Sequence, residues 1–179
     1  MVPADFETYF ATMAAVGGTL FGLIFVAVSI SPENTVQKDA PIGRQVRAAG
    51  SYNALLNPLV ISLFALIPHE DISYPTLVMS ILGLVSMLFM AFSLLPQSSG
   101  WYARFHDGLF ILGGLVLYGF ETYYGLRLLQ SESDSYALYS LATLFIIIDT
   151  FGLARAWSLL GVRQFPIQDR HPHQDKNSA

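Results

Sequence analysis

LYSLATLFIIIDTFGLARAWSLL, residues Leu138–Leu160, is a mostly apolar run with one aspartate, Asp149, close to its middle. A helix rises about 1.5 Å per residue, so about 20 apolar residues cross the hydrocarbon core of a bilayer. This run is long enough. A carboxylate in mid-span costs about 3 kcal/mol on insertion scales, so Asp149 calls for a partner, a proton or a task.

Reading outward from this segment, the same criterion picks out spans at about Phe6–Ile30, Val46–Ile67, Pro75–Leu95 and Phe105–Leu129, with the fifth span covering about Tyr136–Leu160. Prolines mark several of the edges: Pro32 and Pro68 follow the first two spans, Pro75 sits in the first turn of the third, and Pro96 stops it. The connections Pro32–Gly43, His69–Tyr74, Gln97–Tyr102 and Gln130–Ser135 are short and polar. The expected fold is therefore all-α, a five-helix transmembrane bundle over residues 1–160 with a polar tail over 161–179.

Composition agrees. The chain has 179 residues, 53% hydrophobic and 12% charged, with mean hydropathy +0.49. Soluble domains carry about twice that share of charge. Cysteine is absent, which removes disulfides and thiolate metal sites. A net charge of −4 gives no footprint for nucleic acid. The start has Asp5 and Glu7 but no basic residue, and Phe10–Ile30 is longer than a signal-peptide core, so the first run reads as a retained helix.

Orientation follows from the basic residues. Lys38, Arg44, Arg47, Arg104, Arg155, Arg163, Arg170 and Lys176 fall on one side, with Arg127 alone on the other. By the positive-inside rule the N-terminus is outside and the C-terminus cytoplasmic. The outer side then collects Asp5, Glu7, Glu70, Asp71, Glu132 and Asp134, a rim that would raise the local cation concentration unless it is simply solvated charge.

Helical periodicity sorts the interior residues. On the first span, Thr8, Thr12, Ala15, Thr19, Gly22, Val26 and Ser29 share one small, weakly polar face. Gly18 and Gly22 form a GxxxG motif, which lets helices approach closely. The alternative for this face is a water-lined path on which Thr12 and Thr19 replace part of an ion's hydration shell. The second span places Asn53 and Asn57 one turn apart, directly before Pro58, which frees the carbonyl of Ala54 and predicts a kink. These amides read either as an ion site or as interhelical hydrogen-bonding groups.

The fourth span gathers Asp107, Gly114, Tyr118, Glu121 and Gly125 in one sector, and the fifth aligns Ala142, Asp149, Leu153 and Ala156. Depth matches Arg155 with Asp107, and Asp149 with Asn57 and Tyr118 as hydrogen-bond partners. The third span shows Met79, Gly83, Ser86, Met90 and Ser93 on one face, a soft packing surface rather than a copper stripe.

Enzyme signatures are missing: there is no HExxH, GxSxG, P-loop or cysteine nucleophile. His69, His106, His171 and His173 are too scattered to clamp a haem. No inverted repeat is visible, which weighs against a one-chain secondary transporter. The stretch GGTLFGLIFVAVSI resembles segments of small bacterial membrane proteins but assigns no family. The location expected is the bacterial inner membrane.

The function expected is a homo-oligomeric channel or permeation module for small cations, with lipid and small inorganic ions as partners and no cofactor, metal or catalytic residue. Asp149, Glu121, Asn57, Asn53, Thr12 and Thr19 would line or gate the pathway, and Gly18 and Gly22 would pack helices. A basic inner vestibule of Arg44, Arg47 and Arg104 leaves anions open. The alternative is a structural or regulatory subunit that binds another membrane protein. An intramembrane enzyme would need Asp149 and Glu121 within about 5–10 Å of each other.

Overall fold

The computed structural model describes residues 4–30, 42–94, 101–131 and 134–160. All of its regular structure is helical: α1 Ala4–Ile30, α2 Ile42–Ala65, α3 Ser73–Leu94, α4 Trp101–Gln130 and α5 Ser135–Leu160. All five helices are long and apolar enough to cross a membrane. Large apolar side chains cover the outside, Phe89, Phe92 and Leu109 among them. Such a surface suits acyl chains rather than water, and it points to an integral membrane protein. The polar tail from Gly161 lies outside the described residues.

The helix ends depart from the apolar limits for physical reasons. α2 stops at Ala65, two residues short of the expected end, because the chain turns there: Leu66 and Ile67 donate back to Leu63 and Phe64, and His69 takes φ 67°. Asp71 then caps α3, accepting from the Ser73 backbone N–H at 2.9 Å and from its hydroxyl at 2.6 Å. α4 starts at Trp101, a turn before the expected Phe105. Polar residues end the apolar stretch without ending the helix. Asp134 caps α5 by accepting from Ala137 N–H at 3.1 Å, and it pairs with Arg127 at 2.7 Å.

Four helices close a ring. α2 packs on α3 and α5, and α4 packs on α3 and α5, while α2 and α4 face each other across the diagonal without backbone contact. α1 lies outside the ring, mainly against α2. Glycines set the closest approaches. A Cβ on Gly83 would run into the Tyr118 ring, one on Gly114 would sit 2.5 Å from Met87 Sδ, and one on Gly125 would sit 3.1 Å from Leu77, so α3 and α4 are the tightest pair. Gly152 brings α5 to 3.0 Å from Ala54 Cβ of α2 by the same construction. The methionine face of α3 joins this packing, with Met87 and Met90 buried beside Ile111 and Tyr118. At the other end Phe10, Ile61, Leu128, Leu141 and Phe145 form a separate apolar cluster.

Candidate functional site in the ring interior

Local sequence explains which polar groups point inward. On α4, the positions Asp107, Gly114, Tyr118, Glu121 and Gly125 are all buried, so the sector read from periodicity is the interior face. On α2, Pro58 lies inside the helix, and Asn57 immediately before it is fully buried. The Asn57 Nδ2 amide donates to Glu121 Oε2 at 3.2 Å. Because α2 and α4 are diagonal partners, this bond crosses the middle of the ring. Glu121 and Asn57 are both 0% exposed.

Among the described residues, several polar atoms on the two bonded helices have no partner: Glu121 Oε1, Asn57 Oδ1, the Tyr118 hydroxyl, the Ser62 hydroxyl and Asn53 Nδ2; on α5, Asp149 Oδ1 has none either. Buried polar groups are nearly always satisfied, so a cluster of unsatisfied ones marks either a place for water or a place for a ligand. Asp149 sits one turn from Gly152, which packs on Ala54, so it lies level with the Asn53–Asn57 turn. Neither Asn57 nor Tyr118 bonds it, contrary to the expected pairing: the Asn57 amide is engaged by Glu121 and the Tyr118 hydroxyl is unbonded.

The described cations are committed elsewhere. Arg127 pairs with Asp134 at 2.7 Å. Arg155 pairs with Asp107 at 3.7 Å, with side chains 4% and 2% exposed. The Arg155 guanidinium also lies 4.0 Å over the Phe110 ring, which stacks on Phe151 at 4.3 Å. This cluster joins α4 to α5 about 21 Å along α4 from Glu121, fourteen residues at the helical rise. Glu121 and Asp149 are left without a described basic partner. A charged group in a medium of low dielectric needs a counter-charge or a proton. An interior of carboxylate, amide, phenol and hydroxyl oxygens therefore suits a small cation, including a proton, better than an anion. Among the described residues no three of His, Cys, Asp and Glu come together.

The first helix behaves differently from its reading. Thr8, Thr12, Ala15, Thr19, Gly22, Val26 and Ser29 are all exposed, on the side away from the ring. Thr12 and Thr19 donate to the carbonyls of Thr8 and Ala15, each at 2.8 Å, one turn back in the helix. Gly18 and Gly22 meet nothing within 4 Å, whereas a Cβ on Gly17 would lie 3.2 Å from Leu59 Cβ. Gly17 is thus the glycine that seats α1 on α2 within one chain. On α5, Ala142, Asp149 and Ala156 turn inward but Leu153 is exposed.

Ser62 escaped the sequence reading. Its signal was its place one turn after Pro58 on the helix that carries Asn53 and Asn57. The side chains of Arg44, Arg47 and Arg104 lie outside the described residues, as does Glu132. Of the acidic rim, Asp71 and Asp134 act as helix caps, while Asp5, Glu7 and Glu70 are exposed. No protein-family model matches the chain, and no curated protein or solved structure is significantly similar to it.

Proposed function

We propose that the protein is a permeation module for small cations, protons among them, working as a homo-oligomer in the bacterial inner membrane with its N-terminus outside. The observation that carries this reading is the Asn57–Glu121 bond across the ring, with unpartnered oxygens on the two bonded helices and no described basic group to neutralise Glu121 or Asp149. Intramembrane carboxyls of this kind commonly mark ion or proton pathways. The pathway runs through each chain's own ring, past Asn53, Asn57, Tyr118, Glu121 and Asp149. Thr12 and Thr19 lie on the outer side of α1 and take no part in it within one chain. The sealed interior corresponds to a closed state, in which a cation passes only when helices shift or a proton hops between polar groups. The basic residues clustered on one side of the spans support the orientation.

The test is flux in liposomes holding the purified full chain, under H⁺, K⁺, Na⁺ and Cl⁻ gradients applied in turn. Cation flux that falls at least about tenfold in Glu121→Gln and Asp149→Asn, each removing one intramembrane carboxyl, is the expected result. Flux unchanged in both variants, or carried by Cl⁻ alone, overturns the reading.

The second reading is a membrane subunit that assembles with another helix through α1. The open space beyond Gly18 and Gly22 favours it. It expects no flux from the isolated protein, and loss of a co-purifying partner in Gly18→Leu and Gly22→Leu.

A further inference from the structure

At the end of the bundle where α1 and α5 begin, the two helices separate and leave a groove of about 440 Å³ open on the flank. Its walls are Phe6 and Tyr9 of α1 and Tyr139, Thr143 and Ile146 of α5, and Asp5 stands at its rim. Tyr139 and Ile146 are seven residues apart, so the groove runs about 10 Å along α5 at the helical rise. The volume lies within the ordinary range for a small-molecule site.

The walls are mostly hydrocarbon, and two of their three hydroxyls are satisfied within the protein. The Tyr9 hydroxyl donates to the Ala142 carbonyl. The Thr143 hydroxyl donates to the Tyr139 carbonyl at 3.0 Å. Phe6 and Tyr139 meet edge to face at 6.2 Å across the two helices. Of the lining side chains only Asp5 is charged, and its carboxylate is exposed, as is the Tyr139 ring with its hydroxyl. Arg127, the described cation at this end, is held by Asp134 and lies 5.9 Å from the Tyr136 ring centre. The groove thus combines an apolar, aromatic trough reaching into the bilayer with a negative charge at its mouth that has no basic partner among the described residues.

We propose that this groove is a binding site for a zwitterionic phospholipid with a primary-ammonium headgroup. One acyl chain lies in the trough between α1 and α5, and the ammonium sits against Asp5 and the neighbouring aromatic rings. The rings contribute through their negative faces and Asp5 through its charge. A lipid with an anionic headgroup would meet repulsion at the same rim.

The experiment is lipid binding to the purified full chain, read by native mass spectrometry and by thermal shift in mixed micelles. The probes are phosphatidylethanolamine and phosphatidylglycerol with identical acyl chains. Phosphatidylethanolamine is expected to bind about three- to fivefold more tightly, the size of an exposed cation–π and ion-pair contribution. Asp5→Asn should lower the preference to about twofold, the share left to the rings. Glu7→Gln, which removes the same charge from the same helical turn but lies outside the groove, should retain the full preference. Thr143→Phe, at an exposed position, fills the trough and should weaken both lipids. Equal binding of the two lipids, a preference for phosphatidylglycerol, the same fall in preference in Glu7→Gln as in Asp5→Asn, or unaltered binding in Thr143→Phe would each overturn the proposal.

Discussion

Breaking the Arg155–Asp107 pair is the perturbation whose size the structure fixes most directly. The two side chains are 4% and 2% exposed, and the guanidinium also rests 4.0 Å over Phe110. Removing one partner takes a counter-charge from the other in an apolar setting, which costs about 3–5 kcal/mol. Replacing both with apolar residues of similar size removes the two desolvation penalties along with the attraction, so the net change is within about 1 kcal/mol. Arg155→Met and Asp107→Leu are therefore expected to destabilise strongly one at a time. The double variant should unfold close to wild type, a coupling of at least about 5 kcal/mol. The Arg127–Asp134 pair, with the arginine side chain 41% exposed, provides the control: its coupling should stay below about 1 kcal/mol. Equilibrium unfolding of the detergent-solubilised chain by dodecyl sulfate titration, followed by circular dichroism, measures all of these. Single variants that each lose less than about 1 kcal/mol, or a double variant equal to the sum of the singles, would refute a buried ion pair between α4 and α5.

Three further outcomes are open to the same unfolding assay. Gly83→Ala drives a methyl group into the Tyr118 ring and should cost about 1–3 kcal/mol by overpacking, while Gly18→Ala, with open space beyond it, should be neutral or stabilise by up to about 1 kcal/mol through helix propensity. Asn57→Leu removes the donor that Glu121 has among the described residues and should cost about 1–3 kcal/mol; Glu121→Leu in that background should recover part of the loss, and no recovery would show that the two side chains do not meet. Asp71→Ala removes the cap of α3 at a cost of about 1 kcal/mol, whereas Glu70→Ala beside it should change nothing measurable.

The spans were legible because lipid demands runs of apolar residues, and that demand leaves its mark in any one chain. The helix ends were less so. Apolarity ends where the hydrocarbon ends, but the helix at Trp101 runs on into polar residues, and the one at Ala65 stops early for a turn that hydropathy does not sense. The interior face of α4 was readable because Gly114 and Gly125 are needed where α3 comes close, and they bracket Glu121. The small face of α1 was equally distinct, but periodicity identifies a face without saying whether it looks in or out, and this one looks out. Gly17 and Gly18 differ by one residue and about 100° of rotation, enough to put one on Leu59 and the other beyond reach of the described chain. The partner of Asn57 depended on the order of helices around the ring. Depth alone gave Asp149 as its match, whereas the diagonal placement of α2 and α4 gave Glu121.

That diagonal bond has a mechanical consequence. Four rods joined side to side make a linkage that shears like a parallelogram without any joint being broken, because every edge keeps its length while the corners change angle. A single brace between opposite corners removes that freedom. Asn57 and Glu121 form such a brace, reaching across where the backbones of α2 and α4 do not touch. Whatever loosens the amide from the carboxylate leaves every neighbouring helix contact in place and still allows the cross-section of the ring to change shape.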